Sequence, residues 1–121
     1  MDKIRLLIVD DNSNFREIIR SILNTQSDLE VVGESEDGLD ALKKAAELLP
    51  QVILMDVAMP RMGGLEATQR LREQLPEIKV IGLSIHDSEE YRDSMLGAGA
   101  SAYLLKCSPF PELLSTIREM T

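Results

Sequence analysis

Five chemically active side chains stand directly after, or at the end of, strand-like stretches of this 121-residue chain. They are three carboxylates, a hydroxyl and an amine: Asp10, Asp11, Asp56, Ser84 and Lys106. If parallel strands carry them, their carboxyl ends meet at one edge of the sheet and bring the groups together. Crowded carboxylates in a partly desolvated site repel one another unless a cation neutralises them. Hard carboxylate oxygens select Mg²⁺ or Mn²⁺, and we expect Mg²⁺, which keeps several waters and accepts phosphate oxygens.

Such a site suits the transfer of a phosphoryl group to a carboxylate. An aspartate can act as the nucleophile and form an acyl phosphate, and the reaction mainly needs positioning and charge neutralisation. The metal and Lys106 would supply the two charges, while the Ser84 hydroxyl could reach a phosphate oxygen. Each residue alone has an ordinary alternative: Asp10 or Asp11 could cap a helix, Lys106 could lie on the surface and Ser84 could end a strand. Their joint placement favours the chemical interpretation.

The hydrophobic pattern alternates five times between strand and helix. Strands are predicted over residues 4–9, 29–35, 51–55, 79–84 and 102–105, and the third and fourth helices over 64–74 and 88–98. The other three helices are predicted to bury one apolar face each: Phe15, Ile18, Ile19, Ile22 and Leu23; Leu39, Leu42, Ala46 and Leu49; and Phe110, Leu113, Leu114 and Ile117. This pattern predicts one α/β domain over residues 1–121, a doubly wound five-stranded parallel sheet with five helices. The expected strand order is 2-1-3-4-5, with the second and fifth strands at the edges.

Composition and charge exclude several classes of function. The formal charge of -8, from 21 acidic and 13 basic residues, repels phosphates, so we expect no nucleic acid binding by this domain alone. Neither an apolar run of about 18 residues nor a signal-peptide pattern is present, so we expect a cytoplasmic protein without membrane attachment. The single cysteine, Cys107, and the single histidine rule out an internal disulfide and leave a structural zinc site without its ligands.

Four segments of the sequence resemble the receiver domain of two-component response regulators. They are LLIVDDNSNFR, VILMDVAMPRMGGLEATQRLR, VIGLSIHDSEEY and GAGASAYLLKCSPFPELL, and together they cover essentially the whole chain. The stretches LSIHD and AGASAYLLK are similar to the NarL/FixJ-type subfamily, in which a helix-turn-helix DNA-binding domain usually follows the receiver. The resemblance implies a flavodoxin-like fold and a phosphorylation-dependent signalling switch. It implies a phosphoacceptor that promotes its own phosphorylation and dephosphorylation, rather than an enzyme.

The resemblance also implies roles for the residues of the phosphorylation site. Asp56 would accept the phosphoryl group. Asp10 and Asp11 would organise Mg²⁺, with the backbone carbonyl of Ala58 as a further ligand. Lys106 matches the amine that contacts the phosphoryl group.

A second set of residues would transmit or time the signal. The resemblance implies that the hydroxyl of Ser84 swings toward the phosphoryl group and that Tyr103 changes rotamer as it moves. Ala58 and His86 occupy positions that border the path of the hydrolytic water, so they would modulate the lifetime of the phosphoryl group. The face formed by the fourth helix, the fifth strand and the fifth helix, including Tyr91 and Tyr103, would pass the signal on.

The implied partners follow from the same family. The phosphodonor would be a phosphohistidine on a sensor histidine kinase, docking beside the first helix around Phe15 and Ile18. The signal would control an output domain or effector, such as a DNA-binding domain that regulates transcription. A phosphorylation-dependent homodimer also fits this family.

One departure from the family pattern leaves alternatives open. Many receivers have proline after the lysine and a cis bond there, whereas Cys107 follows Lys106 here. A cis bond before a non-proline residue costs about 2.5 to 4 kcal/mol, so a trans bond with a shifted lysine is the alternative. A passive role for Cys107 is favoured over a reactive thiol.

The sequence leaves three alternative functions. An unphosphorylated pseudo-receiver that acts as an interaction module remains open. An aspartyl-phosphate phosphatase of the haloacid-dehalogenase type would need a second acid where Ala58 stands. A nucleotide-binding domain would need a glycine-rich loop where the sequence has DDNSNF.

Overall fold

Five strands and five helices alternate along the chain in the computed structural model, which describes residues 2–121 and leaves Met1 outside the described residues. The strands are β1 (Ile4–Val9), β2 (Leu29–Ser35), β3 (Val52–Asp56), β4 (Lys79–Ser84) and β5 (Ala102–Leu105). The helices are α1 (Ser13–Leu23), α2 (Gly38–Leu48), α3 (Gly64–Gln74), α4 (Glu89–Ala98) and α5 (Phe110–Glu119). The strands form one parallel sheet in the order β2-β1-β3-β4-β5. The predicted fold class, strand order and edge strands are confirmed.

Hydrophobic clusters lie on both faces of the sheet. Alternate residues of β1 divide between them: Leu7 and Val9 belong to one cluster, Leu6 and Ile8 to the other. The first cluster also contains residues of α2, α3 and α4, and the second contains residues of α1 and α5. Because successive side chains of a strand point to opposite faces, a central strand covered on both sides has to be apolar throughout.

The predicted buried face of α1 is too wide. Ile19 and Leu23, four residues apart, are buried at its centre, and Phe15 and Ile22 are half-buried at its margin. The prediction for Ile18 is wrong, because its side chain lies further round the helix and is 53% exposed. The hydrophobic pattern alone therefore predicts the centre of the buried face of α1 correctly but not its width.

The predicted buried face of α2 is correct only for Leu42, which is half-buried and packs against the first cluster. Leu39 is 52% exposed and Ala46 is also exposed, while the fully buried positions are Ala41 and Ala45. Leu49 lies beyond the helix as its left-handed C-cap, with φ of 48°, and is exposed. Small alanines allow the helix to approach the sheet closely, and a pattern that weights the leucines misses that contact.

No helix of the described part of the chain has the length and apolar character needed to cross a membrane.

The α1 correction can be tested with two neighbouring isoleucines. We expect Ile19→Ala to lower the free energy of unfolding by about 2 to 4 kcal/mol, because it leaves a cavity in the core. Ile18→Ala, the matched control, should lower it by less than about 1 kcal/mol. Urea unfolding followed by circular dichroism measures both, and equal losses would contradict the described face.

Candidate functional site

The first acidic residue is held where β1 gives way to α1. Asp10 is buried, and its backbone N–H donates to the carbonyl of Ser35 at 3.0 Å. Its carboxylate accepts from the N–H of Asn12 at 2.9 Å. Asn12 itself caps α1 by accepting from the N–H of Phe15 at 3.0 Å. Asn12, and not Asp10 or Asp11, is therefore the N-cap of α1. The alternative role of the two aspartates as helix caps does not apply.

The three predicted carboxylates meet at the carboxyl edge of the sheet. Asp10, Asp11 and Asp56 each offer an oxygen, and these oxygens lie within 4.8 Å of one another. Asp10 and Asp56 are buried, whereas Asp11 is exposed. Among the described residues, the buried Asp10 Oδ2 accepts no well-aligned hydrogen bond. This donor set of hard oxygens fits a divalent cation that also keeps water or phosphate ligands.

Lys106 brings the only ammonium that ion-pairs with these carboxylates in the described part of the chain. Its Nζ lies 2.6 Å from Asp10 Oδ2 and 3.5 Å from Asp56 Oδ2. Its backbone N–H donates to the carbonyl of Ser84 at 2.8 Å, which ties the end of β5 to the end of β4. All peptide bonds of residues 2–121 are trans, so the bond from Lys106 to Cys107 is trans, and the amine still reaches the site. Cys107 is exposed.

The electrostatics of the site act most strongly on Asp56. Burial, followed by the neighbouring Asp10 charge, raises the pKa of Asp56 to about 7 from its ordinary 3.8. The Lys106 ammonium opposes this shift in pKa but does not cancel it. Burial thus disfavours the ionised form of Asp56. Added positive charge beside it, such as a bound cation, would strongly favour that form.

The loop after Asp56 folds back tightly over the end of β3. The N–H of Gly64 donates to the carbonyl of Val57 at 2.9 Å. A Cβ at Gly64 would lie 2.0 Å from the carbonyl oxygen of Asp56, so only glycine allows this approach. The start of α3 is thereby held against the acidic residue.

The same loop is fastened to the start of α2 by residues that the sequence analysis missed. Arg61, whose φ is 63°, donates from Nε to Asp37 Oδ2 at 2.7 Å. Asp37 caps α2 by accepting from the N–H of Asp40, and this bond together with Arg61 holds the pKa of Asp37 below its usual value. The N–H of Gly38 donates to the carbonyl of Met62 at 2.8 Å. The position of Asp37 before a helical pattern indicates an N-cap. Nothing in the sequence indicates that Asp37 also contacts Arg61.

The predicted switch residues lie together on the other side of the site. Ser84 is buried, and its Oγ accepts from the N–H of His86 at 2.9 Å. The hydroxyl of Tyr103 donates to the carbonyl of His86 at 2.8 Å, and this side chain is 8% exposed. The His86 ring stacks on Tyr91, with 5.2 Å between the ring centroids. Tyr103 is thus buried, and it connects β5 to the loop after β4.

Ala58 contributes no carboxylate beside Asp56. Its side chain is exposed, and its backbone N–H donates a hydrogen bond to Asp56 that lowers the pKa of that carboxylate. The phosphatase alternative would need an acid at this position, two residues beyond Asp56.

Two further residues of α1 contact the site without having been assigned to it. Arg16 Nη1 donates to the backbone carbonyl of Asp10 at 2.5 Å, and its Nε donates to Glu34 Oε1 at 3.1 Å. The ring of Phe15 lies under the Lys106 ammonium, with 4.6 Å from Nζ to the ring centroid. The apolar pattern marks Phe15 only as a packing residue, because its contact with Lys106 joins segments distant in sequence. It gives no signal for Arg16, which is polar.

Comparison with known proteins identifies the family. The sequence model of the response regulator receiver domain matches residues 6–118. The chain is 42% identical over 117 residues to the transcriptional regulatory protein DegU of Brevibacillus brevis, covering 97% of this chain and 50% of DegU. It is 45% identical over 118 residues to the response regulator protein VraR of Staphylococcus saprophyticus, covering 96% of this chain and 56% of VraR. The chain spans about half the length of the curated relatives it matches.

A solved structure of the same class matches nearly the whole fold. The signal receiver domain of NarL from Mycobacterium tuberculosis superposes with a TM-score of 0.94 at 32% identity, covering 98% of this chain and 96% of that one. The resemblance to NarL/FixJ-type receivers drawn from the sequence is confirmed. The chain belongs to the response regulator receiver domain family.

Proposed function

We propose that residues 1–121 act as a single receiver domain that accepts a phosphoryl group on Asp56 in the presence of Mg²⁺. The observation that carries this proposal is the meeting of three carboxylate oxygens within 4.8 Å beside the Lys106 ammonium. Asp10, Asp11, Asp56 and the backbone carbonyl of Ala58 would hold the ion. When bound, Mg²⁺ would neutralise the crowded acids and the incoming phosphoryl oxygens.

The reaction at Asp56 is a nucleophilic displacement. A carboxylate oxygen of Asp56 attacks the phosphorus of a phosphohistidine, an O–P bond forms, and the P–N bond to the imidazole breaks. Lys106 stands 3.5 Å from Asp56 Oδ2 and can balance charge on the transferred group. The chain is then a phosphoacceptor that promotes its own phosphorylation and dephosphorylation, and it does not turn over a separate substrate as an enzyme does.

The signal would leave through the side of the site that carries Ser84 and Tyr103. Phosphorylation adds negative charge and acceptor oxygens, which the Ser84 hydroxyl could satisfy by giving up its bond from the His86 N–H. The same loop holds the Tyr103 hydroxyl through the His86 carbonyl, so the two movements are coupled. The face formed by α4, β5 and α5, including Tyr91, would change with them. Ala58 and His86 would set how readily water reaches the acyl phosphate.

The partners are proposed from the family and from exposure. A sensor histidine kinase would dock beside α1, where Ile18 is 53% exposed and Phe15 is half-buried. The output would be an effector or a further domain such as a DNA-binding domain, and phosphorylation could also promote a homodimer. The acidic surface argues against nucleic acid binding by this domain alone. We expect this signalling to take place in the cytoplasm.

Incubation with acetyl phosphate and Mg²⁺ tests the proposal directly. We expect the intact mass to rise by one phosphoryl group, because Asp56 is the acceptor, and Asp56→Asn to abolish the gain. Asp93→Asn, which removes an exposed carboxylate on α4, should gain the group normally.

The other outcomes identify the alternatives. A wild-type chain that folds and gains no mass would indicate a pseudo-receiver acting as an interaction module. Steady release of phosphate from phosphate esters would indicate a phosphatase, which the lack of an acid at Ala58 disfavours.

The raised pKa of Asp56 predicts how the stability of the metal-free chain depends on pH. The folded state holds this proton up to about pH 7, whereas the unfolded state releases it near 3.8. The free energy of unfolding should therefore fall as the pH rises from about 4 to about 7. Asp56→Asn, which cannot ionise, should be more stable than wild type at pH 8. We expect a difference in the free energy of unfolding on the order of 1 to 2 kcal/mol, because solvent screening reduces the effect of the pKa shift.

Urea unfolding of both variants at pH 4 and pH 8, with a metal chelator present, measures this difference. The gain from Asp56→Asn should shrink toward zero at pH 4, where both residues are neutral. Added Mg²⁺ at pH 8 should stabilise wild type more than Asp56→Asn. A gain of equal size at both pH values would show that ionisation of Asp56 does not cause it.

A further inference from the structure

We infer that Phe15 is a positioning residue for the Lys106 ammonium, acting through the face of its aromatic ring. The Nζ of Lys106 lies over the ring, 4.6 Å from the centroid. An aromatic face carries the negative part of the ring quadrupole, so it attracts a cation within about 6 Å. The inference rests on the proposed function, because it gives the ring a part in phosphorylation of Asp56.

The position of the ring is fixed by the start of α1. The N–H of Phe15 donates to the Asn12 side chain at 3.0 Å, which sets the first turn of the helix. One turn further on, Ile19 is buried in the core. The ring itself packs against the hydrophobic cluster between the sheet and the helices α1 and α5. Phe15 is therefore held by backbone and core contacts that do not depend on Lys106.

The surroundings of the ring and the lysine are mainly apolar and largely closed to solvent. A small cavity of about 10 Å³ is lined by Phe15, Lys106 and apolar neighbours that include Leu105 and Phe110, together with Ser108. The Lys106 side chain is only 14% exposed. Low exposure weakens the screening of the ammonium by water and so strengthens its attraction to the ring.

The ring adds a third contact to the two ion pairs that hold the Lys106 ammonium. Lys106 follows β5, a four-residue edge strand, and the chain turns away at the exposed Cys107. Its ammonium lies 2.6 Å from Asp10 Oδ2 and 3.5 Å from Asp56 Oδ2, so it has to serve two acids at once. The ring gives it a fixed third contact from which both carboxylates remain within reach.

Substitutions at Phe15 separate the electrostatic role from packing. Phe15→Leu keeps an apolar side chain but removes the quadrupole, whereas Phe15→Tyr and Phe15→Trp keep an aromatic face. With acetyl phosphate at saturating Mg²⁺, we expect Phe15→Leu to slow phosphorylation of Asp56 roughly three- to tenfold. The Mg²⁺ concentration that gives half the maximal rate should change less than the rate itself. Phe15→Tyr and Phe15→Trp should stay within about twofold of wild type.

The control lies on the same helix. Glu17→Ala alters the exposed side of α1 and should leave the rate with acetyl phosphate unchanged. Because this small donor needs no kinase, an effect of Phe15→Leu cannot come from lost kinase docking. Equal slowing of the leucine, tyrosine and tryptophan variants, or no slowing of the leucine variant, would overturn the inference.

A second readout does not depend on phosphorylation. Protons above an aromatic face shift upfield, so the ε-methylene protons of Lys106 should show a ring-current shift that disappears in Phe15→Leu and persists in Phe15→Tyr. Absence of that shift in the folded wild-type chain would overturn the inference even if phosphorylation proceeds. Presence of the shift in a chain that gains no phosphoryl group would instead reject the proposed function and leave the ring as a structural support of the lysine.

Discussion

Mutual repulsion of carboxylates at one edge of the sheet is the constraint on which the rest of the structure depends. Two unit charges about 4 Å apart interact by about 4 kcal/mol at an effective dielectric constant near 20, comparable with a large part of the stability of a small domain. Asp10, Asp11 and Asp56 place their oxygens within 4.8 Å of one another, and two of the three are buried. Burial of Asp56, followed by the neighbouring Asp10 charge, raises the pKa of Asp56 to about 7. The chain tolerates this arrangement because the surrounding fold is rigid and because one ammonium, that of Lys106, already lies between the acids.

The fold supplies that rigidity through its central strands. The strands β1 and β3 are buried on both faces, and they carry Asp10 and Asp56 at their carboxyl ends. Burying an aliphatic side chain fully contributes about 1.5 to 3 kcal/mol, and each of these strands buries at least four. Favourable packing along the strands therefore offsets unfavourable charge at their ends.

The sequence predicted most of this because its strongest signals are local and periodic. Apolar runs give the strands, helical spacing gives the helices, and the carboxyl ends of parallel strands must share an edge, which brings Asp10, Asp56 and Lys106 together. Prediction failed where a contact depends on residue size or on distant partners. Ala41 and Ala45 are buried because the helix can approach closely there. The contact of Phe15 with Lys106 joins residues far apart in sequence, and the periodic pattern records Phe15 only as apolar.

The attachment of Arg61 to Asp37 has a mechanical consequence for the pocket around Asp56. The loop after β3 is fixed at two points: Arg61 and Met62 bind the start of α2, and Gly64 packs closely against the Asp56 backbone. The loop after β4 is held near the pocket mainly by single hydrogen bonds to Ser84 and Tyr103. The loop after β3 is thus held more firmly than the loop after β4. The phosphoryl group proposed for Asp56 should therefore displace the loop after β4 and the strand β5 more than the loop after β3. The domain alone then sets the direction of this conformational change, before any partner binds.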